Sequence, residues 1–290
     1  MLLIIGFIIV LAATIGGFMM AGGEPLVLLH LSEFVVIGGI AMGILVISSP
    51  WSTLIGVVNK LKTALSGKGI GKEDFLDLLK LLYEIFIVAR RNGLIALEDH
   101  MLDPKNSILF QKYPSFLNEQ SRVDFLTNGM KPLIDGRIKP EQLEGLLQSE
   151  LESKEAEAEA PVSILALIGD SLPGVGIVAA VLGIINTMAA IAQGPATVGK
   201  NVAAALTGTF LGILSAYGFV NPLANRIRIN NATEMQYFTA ILKGLTGFAN
   251  GMAPIMAVEV ARRCLEARIQ PGADDLEAIL KTLNAHQPKP

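Results

Sequence analysis

Two uncharged stretches, LPGVGIVAAVLGIINTMAAIA (Leu172–Ala192) and VAAALTGTFLGILSAYGFV (Val202–Val220), restrict the fold of this chain more than any other feature. A bilayer core takes about 20 apolar residues as helix, and both stretches meet that length. Their composition is unusual for a lipid-facing helix. Gly, Ala, Ser and Thr replace much of the Leu and Phe, and each stretch meets its membrane edge beside a proline, Pro173 and Pro222. Small residues allow close helix approach, and weakly polar ones suit a polar route.

Two further segments, Leu2–Met20 and Phe34–Ser49, complete a set of four spans. The first reads as a span rather than a cleaved leader, because no Lys or Arg precedes Lys60. Overall, 51% of residues are hydrophobic and 17% charged, a mixture that suits segregated membrane and aqueous parts. Fourteen Lys and Arg lie between Lys60 and Lys154, and eight between Arg226 and Lys289. Only Lys200 falls in a short connection. By the positive-inside tendency the basic regions and both termini are cytoplasmic, and the connections Ala21–Glu33 and Gln193–Asn201 face outward. The expected fold is an all-α membrane protein. Four transmembrane helices accompany a helical cytoplasmic domain, built from the loop between spans two and three plus the C-terminal tail. The divisions are 1–50 for spans one and two, 51–165 for the cytoplasmic domain, 166–223 for spans three and four, and 224–290 for the cytoplasmic C-terminal helices.

The span pairs differ in character. The first, rich in Leu, Ile, Val, Phe and Met, is expected to face lipid. The second carries Asn186, Thr187, Thr207, Thr209, Ser215 and Tyr217 and is expected to face an interior or a partner. Gly208 and Gly212 have small-xxx-small spacing and also fit tight packing within the chain.

In the cytoplasmic parts, Phe75, Leu78, Leu79, Leu82, Ile85, Phe86 and Ala89 form one stripe of a helix over Lys72–Arg91. Asn92-Gly93 is a helix stop, followed by a short helix near Leu94–Met101. Breaks are expected at Asp103-Pro104 and Tyr113-Pro114, and a helix near Glu119–Met130. Pro140 opens an acidic helix from Glu141 to about Glu159 that returns to the membrane at Pro161. After Pro222 the fourth span extends to Asn230-Asn231, then folds back as Thr233–Phe248 and Ala253–Arg268. Asn250-Gly251 marks the turn between those two. His286–Pro290 reads as frayed.

The residues exclude several functions. A net charge of −3 gives no nucleic-acid signature. The lone Cys264 forms no internal disulfide, and His30, His100 and His286 are too scattered for a metal site. Gly67-Lys68 and Gly71-Lys72 lack the remaining spacing of a phosphate loop. The chain is not expected to be an enzyme and needs no cofactor. Proton-carrying membrane proteins need a titratable group inside the membrane. None of the four spans holds a carboxylate near its centre. Glu33 and Asp170 are read as edge residues, solvated or capping a helix start. A proton route therefore needs an acid from another chain. Arg90, Arg91 and Glu98, and the acidic run through Glu150, read from generic helix physics as solvated faces, with partner contact as the alternative.

The segments RRNGLIALEDHM, GDSLPGVGIVAAVLG, GTFLGILSAYGFVNP and NGMAPIMAVEVARR resemble the MotA family of bacterial flagellar stator subunits, within the MotA/TolQ/ExbB superfamily. The likeness runs from Met1 to about Arg268. It implies a homopentamer in the bacterial inner membrane around single-span MotB-like partners, which supply the essential aspartate. It implies that Pro173, Ala180, Thr209, Tyr217 and Pro222 serve the ion pathway and its gating. Arg90 and Glu98, with Arg91 and Glu150 as further candidates, would meet the rotor protein FliG. Sodium-driven relatives carry threonine where this chain has Ala180, so the transported ion is expected to be the proton. An ExbB/TolQ-type energy transducer, a PomA-like sodium stator, a stand-alone channel and a structural scaffold remain alternatives at this point.

Overall fold

The computed structural model describes residues 2–67 and 69–285, and the expectation for His286–Pro290 lies outside them. Among the described residues the chain is helical, with turns and no strand. The helices are α1 Leu2–Met20, α2 Leu31–Ile47, α3 Trp51–Ser66, α4 Lys72–Asn92, α5 Glu98–Leu102, α6 Pro114–Leu117 and α7 Gln120–Ile134. They continue as α8 Pro140–Ala189, α9 Pro195–Leu214, α10 Asn221–Ala249, α11 Pro254–Arg263 and α12 Ala273–Ala285. A π-helical segment, Ser215–Val220, joins α9 to α10. Four helical stretches have the length and apolarity to cross a membrane.

The chain forms two compact units, residues 1–68 with 157–230, and residues 69–156 with 231–290. Residues 51–68 and 157–165 thus group with the apolar helices. The reason is local packing. Val57 and Ala64 of α3 share a buried cluster with Val162, Leu165, Ala224 and Ile227. A Cβ on Gly56 would lie 3.0 Å from the Pro161 ring.

In the first unit, α1 has no buried residue and presents apolar side chains around its circumference. Its Phe7 ring packs against Phe219 of the π segment, centroids 5.1 Å apart. Helix α2 packs its Ile37 against Ile168, Leu172, Val175, Ala179 and Ala216.

In the second unit, loop and tail share one core. The stripe Phe75, Leu78, Leu79, Leu82, Ile85 and Phe86 on α4 is fully buried, as its i, i+3, i+4 spacing predicts. It meets Tyr237, Phe238, Ile241 and Leu245 of α10, Leu143 and Leu147 of α8, and Val258 and Ala261 of α11. Phe86 stacks on Phe248 at 4.5 Å. Asp74 accepts a hydrogen bond from the Gly71 N–H (2.7 Å), satisfying a free donor at the start of α4.

Three expectations fail here. The acidic helix and the third span are one continuous α8 of 50 residues, with Pro161 and Pro173 inside it. A proline removes a single intrahelical donor, and flanking turns carry the helix through. Asn230-Asn231 does not end a helix, because α10 runs unbroken to Ala249. Asn is only weakly unfavourable in a helix, and Asn231 and its neighbour Ile227 are both buried, so packing overrides the propensity. Helix α11 stops at Arg263, and α12, which the sequence reading missed, closes the core with Leu276 and Leu280.

Candidate functional site

Helices α8 and α9 touch backbone to backbone. A Cβ on Gly176 would lie 2.8 Å from the Gly208 carbonyl oxygen and 3.0 Å from Gly212 Cα. One on Gly212 would lie 2.6 Å from the Leu172 carbonyl oxygen, and one on Gly183 2.8 Å from Ala205 Cβ. The seam Leu172, Gly176, Ala180, Gly183 on α8 against Gly212, Gly208, Ala205 on α9 follows helical spacing. The glycines thus pack within the chain, one of the two roles their spacing allowed.

The far sides of these two helices stay open. Ile177, Val181, Ile184 and Ile185 of α8, with Leu206, Ile213 and Tyr217 of α9 and the π segment, are exposed in the single chain. Ala180 is buried at the seam, while Thr209 is half-buried beside it. Thr209 Cα lies 3.3 Å from the position of a Cβ on Gly176.

The structure brings Pro173 and Pro222 to one end of this pair. Asn221 Nδ2 donates to Asp170 Oδ1 (3.2 Å), tying the residue before Pro222 to the residue three before Pro173. The Asn221 side chain also fills the space a Cβ would take on Gly169. Asp170 therefore caps no helix start. It lies inside α8 and is exposed. Pro222 cannot donate to the carbonyl of Gly218, and the turn before it is widened into the π form. Such widened turns recur at functional positions. Pro173 and Ala180 are seven residues apart on α8, about 10 Å along the axis.

Glu33 departs from its expected setting. It lies in the first turn of α2, yet only 5% of its surface is exposed. Its Oε2 has no hydrogen-bond partner. A Cβ on Gly208 would lie 2.6 Å from that oxygen. Gly208 is 13 residues into α9, about 20 Å from its start at Pro195. Glu33 thus keeps its place at the start of α2 but is not solvated, and it lies level with the middle of α9. Hydropathy along one strand of sequence cannot reveal this, because it depends on where α2 docks on α9.

In the second unit, Arg90 and Arg91 end α4 and Glu98 begins α5, across the turn at Gly93 (φ +84). Glycine is needed there for the left-handed backbone. All three charged side chains are exposed. Leu97, fully buried, anchors the corner from beneath. Arg91 reaches the Tyr83 phenol electrostatically and offsets part of the upward push that burial gives it. Glu150 is placed elsewhere. It sits half-buried on α8, with its carboxyl raised by burial and by Asp124 of α7, and lowered by Lys154. No group of three or more His, Cys, Asp or Glu that could hold a metal ion occurs among the described residues.

This architecture is that of a membrane protein with apolar helices and a charged helical domain. Known proteins fit the same description. The family profile "Motility protein A N-terminal" matches residues 4–93, and "MotA/TolQ/ExbB proton channel family" matches residues 118–240. Motility protein A of Salmonella typhimurium is 35% identical, over 98% of this chain and 96% of that protein. Motility protein A of Escherichia coli is 34% identical, over 99% and 97% respectively. Among solved structures, MotAB from C. jejuni has TM-score 0.76 at 24% identity, covering 91% of this chain and 95% of that one. The flagellar MotAB stator complex from Bacillus subtilis has TM-score 0.74 at 22% identity, covering 92% and 96%.

These matches define a membrane protein of a proton channel family. The chain belongs to the motility protein A family, the flagellar stator subunits of the MotA/TolQ/ExbB proton channel family.

Proposed function

We propose that this chain couples proton flow to flagellar rotation together with a MotB-like single-span partner, which supplies the essential aspartate. The observation that carries this reading is the pair of uncharged stretches Leu172–Ala192 and Val202–Val220, whose parts on α8 and α9 pack through glycine on one side and stay open on the other. Five copies, embedded in inner-membrane lipid with both termini cytoplasmic, surround the partner helices with this open face inward. Thr209 and Tyr217 face the route, and Ala180 backs it at the seam. Protonation of the partner aspartate, one site at a time, turns the ring. Moving one charge across the membrane yields about 2.3 kcal/mol per 100 mV, so the sliding interface must have low barriers. Pro173 and Pro222, joined through Asp170 and Asn221, gate the inner end and pass motion to the cytoplasmic helices.

Arg90 and Glu98 present opposite charges at one exposed corner and meet complementary charges on FliG, with Arg91 beside them. Glu150 belongs to the same charged domain on another helix and contributes there as a secondary contact. The proton is preferred over sodium because Ala180 offers no hydroxyl to replace an ion's hydration shell.

The deciding experiment is co-purification with the single-span partner, followed by proton uptake into vesicles under an imposed potential. Uptake requiring both chains supports the reading, and conductance from this chain alone overturns it. Charge reversal at Arg90 and Glu98 lowers torque in tethered cells while uptake stays intact. Loss of uptake as well would assign those residues to folding.

A further inference from the structure

Glu33 is a buried carboxyl with one oxygen left without a partner, lodged between α2, α8 and α9. Acidic residues in a first helical turn are common, because the free N–H groups and the helix dipole favour them. That ordinary role needs no burial. Here Oε1 receives only a long hydrogen bond from Ser32 Oγ (3.4 Å), and Oε2 receives none. Leaving a buried carboxyl oxygen unpaired is costly. Inside a membrane such a group marks an ion pathway by default.

We infer that Glu33 is this chain's own proton-attracting carboxyl, set behind the level of Ala180 and Thr209. The inference rests on the ion route proposed above. Three placements support it. The oxygen occupies the volume that any side chain at position 208 would fill, so Gly208 keeps open both the helix seam and the carboxyl's seat. A Cβ at that position would also touch Ala179 Cβ (3.1 Å) and the Ala180 nitrogen (3.3 Å), which brings the Glu33 carboxyl, Ala179 and Ala180 around one point over Gly208. Within α8 and α9, the charged residues closest in sequence to Ala180 and Gly208 are Asp170 and Lys200. The charged and titratable groups of the outer segments are Glu24, His30 and Lys200. Of these, Lys200 is eight residues outward from Gly208 on α9, about 12 Å. A carboxyl in such apolar surroundings acts on a passing cation far more strongly than one in water.

The surroundings select the ion. Sodium needs a shell of oxygens in place of its water. Besides the carboxyl, the groups closest over Gly208 are the Ala179 methyl and the Ala180 nitrogen, and the Thr207 hydroxyl is already donated to the Ala203 carbonyl (3.0 Å). A single free carboxyl oxygen does not supply such a shell.

The test uses the full chain co-expressed with its single-span partner, and proton uptake into vesicles at fixed pH under a potassium diffusion potential. Glu33→Gln keeps the size and removes the charge, so the complex assembles while uptake falls about tenfold or more, the lower end of what a focused field contributes. Glu33→Asp restores part of it. Gly208→Ala displaces the carboxyl and lowers uptake, and adding Glu33→Gln to it brings little further loss, as expected for two changes acting on one feature. Uptake by Glu33→Gln above half the wild-type rate overturns this inference and leaves the stator reading intact. So does loss of assembly in both Glu33→Gln and Glu33→Asp, which assigns Glu33 to folding. A wild-type complex that passes no protons overturns both.

Discussion

The two units of this chain hold together by opposite means. The second is built on bulk. Tyr237 is fully buried, packs against Phe75 (5.2 Å) and Phe116 (6.3 Å), and carries the Arg122 guanidinium over its ring at 4.2 Å. Burial pushes its phenol far above the usual range, against the pull of Arg122. The first unit is built on missing side chains, with Gly176, Gly183, Gly208 and Gly212 bringing backbones together. The difference follows from the solvent. Water drives large apolar groups inward, whereas lipid is as apolar as leucine and rewards only closer packing and hydrogen bonding. Position therefore matters more than hydrophobicity in one unit, and volume matters more in the other.

That contrast can be broken by mutation. The largest effect is expected for Tyr237→Ala, which removes the centre of the aromatic cluster. It should cost about 3–5 kcal/mol, read as a lower thermal midpoint of the purified full chain. Next comes Gly212→Ala. Its Cβ meets the Leu172 carbonyl oxygen and Gly176 backbone, which cannot swing away, so the loss should be about 1–3 kcal/mol for a single methyl. The same methyl at Gly145, where nothing lies within 4 Å, should instead stabilise α8. A gain of about 0.5–1 kcal/mol, the difference in helix propensity, is expected there. If both alanine variants behaved alike, the seam would not be close-packed.

A pH series sharpens the aqueous side. Glu259 accepts hydrogen bonds from Arg262 (2.7 and 2.8 Å) and Arg263 (2.7 Å). The Arg262 bond leads in holding its carboxyl down, from 4.5 to about 2. Its unfolded form therefore binds a proton first as pH falls. The stabilisation is complete above the ordinary value of 4.5 and disappears as pH drops through about 2. Thermal midpoints of the wild type and Glu259→Gln should differ by a constant amount above that window and converge below it. A gap that persisted at the acid end would place the effect in packing rather than charge.

Much of this was legible in the chain. Uncharged runs set the bounds of α1, Leu2–Met20, because hydrocarbon tolerates neither charge nor broken backbone. The apolar stripe of α4 and the Gly93 stop were equally plain, since helix period and left-handed backbone each demand particular residue types. Asp103-Pro104, Pro140 and Asn250-Gly251 marked true boundaries for the same reason. Local chemistry failed where packing overrode it, at Pro161 and Asn230-Asn231, both inside continuous helices. It was silent on the π segment before Pro222.

Sequence by itself determined the class of the molecule and the number and composition of its apolar helices. Those follow from transfer energies and backbone hydrogen bonding, which act residue by residue. Only the tertiary structure decided which small residues face each other, and that Glu33, at the start of α2, is buried in the space above Gly208. The register of one helix against another is a property of paired surfaces, and a glycine carries no mark of what will lie over it.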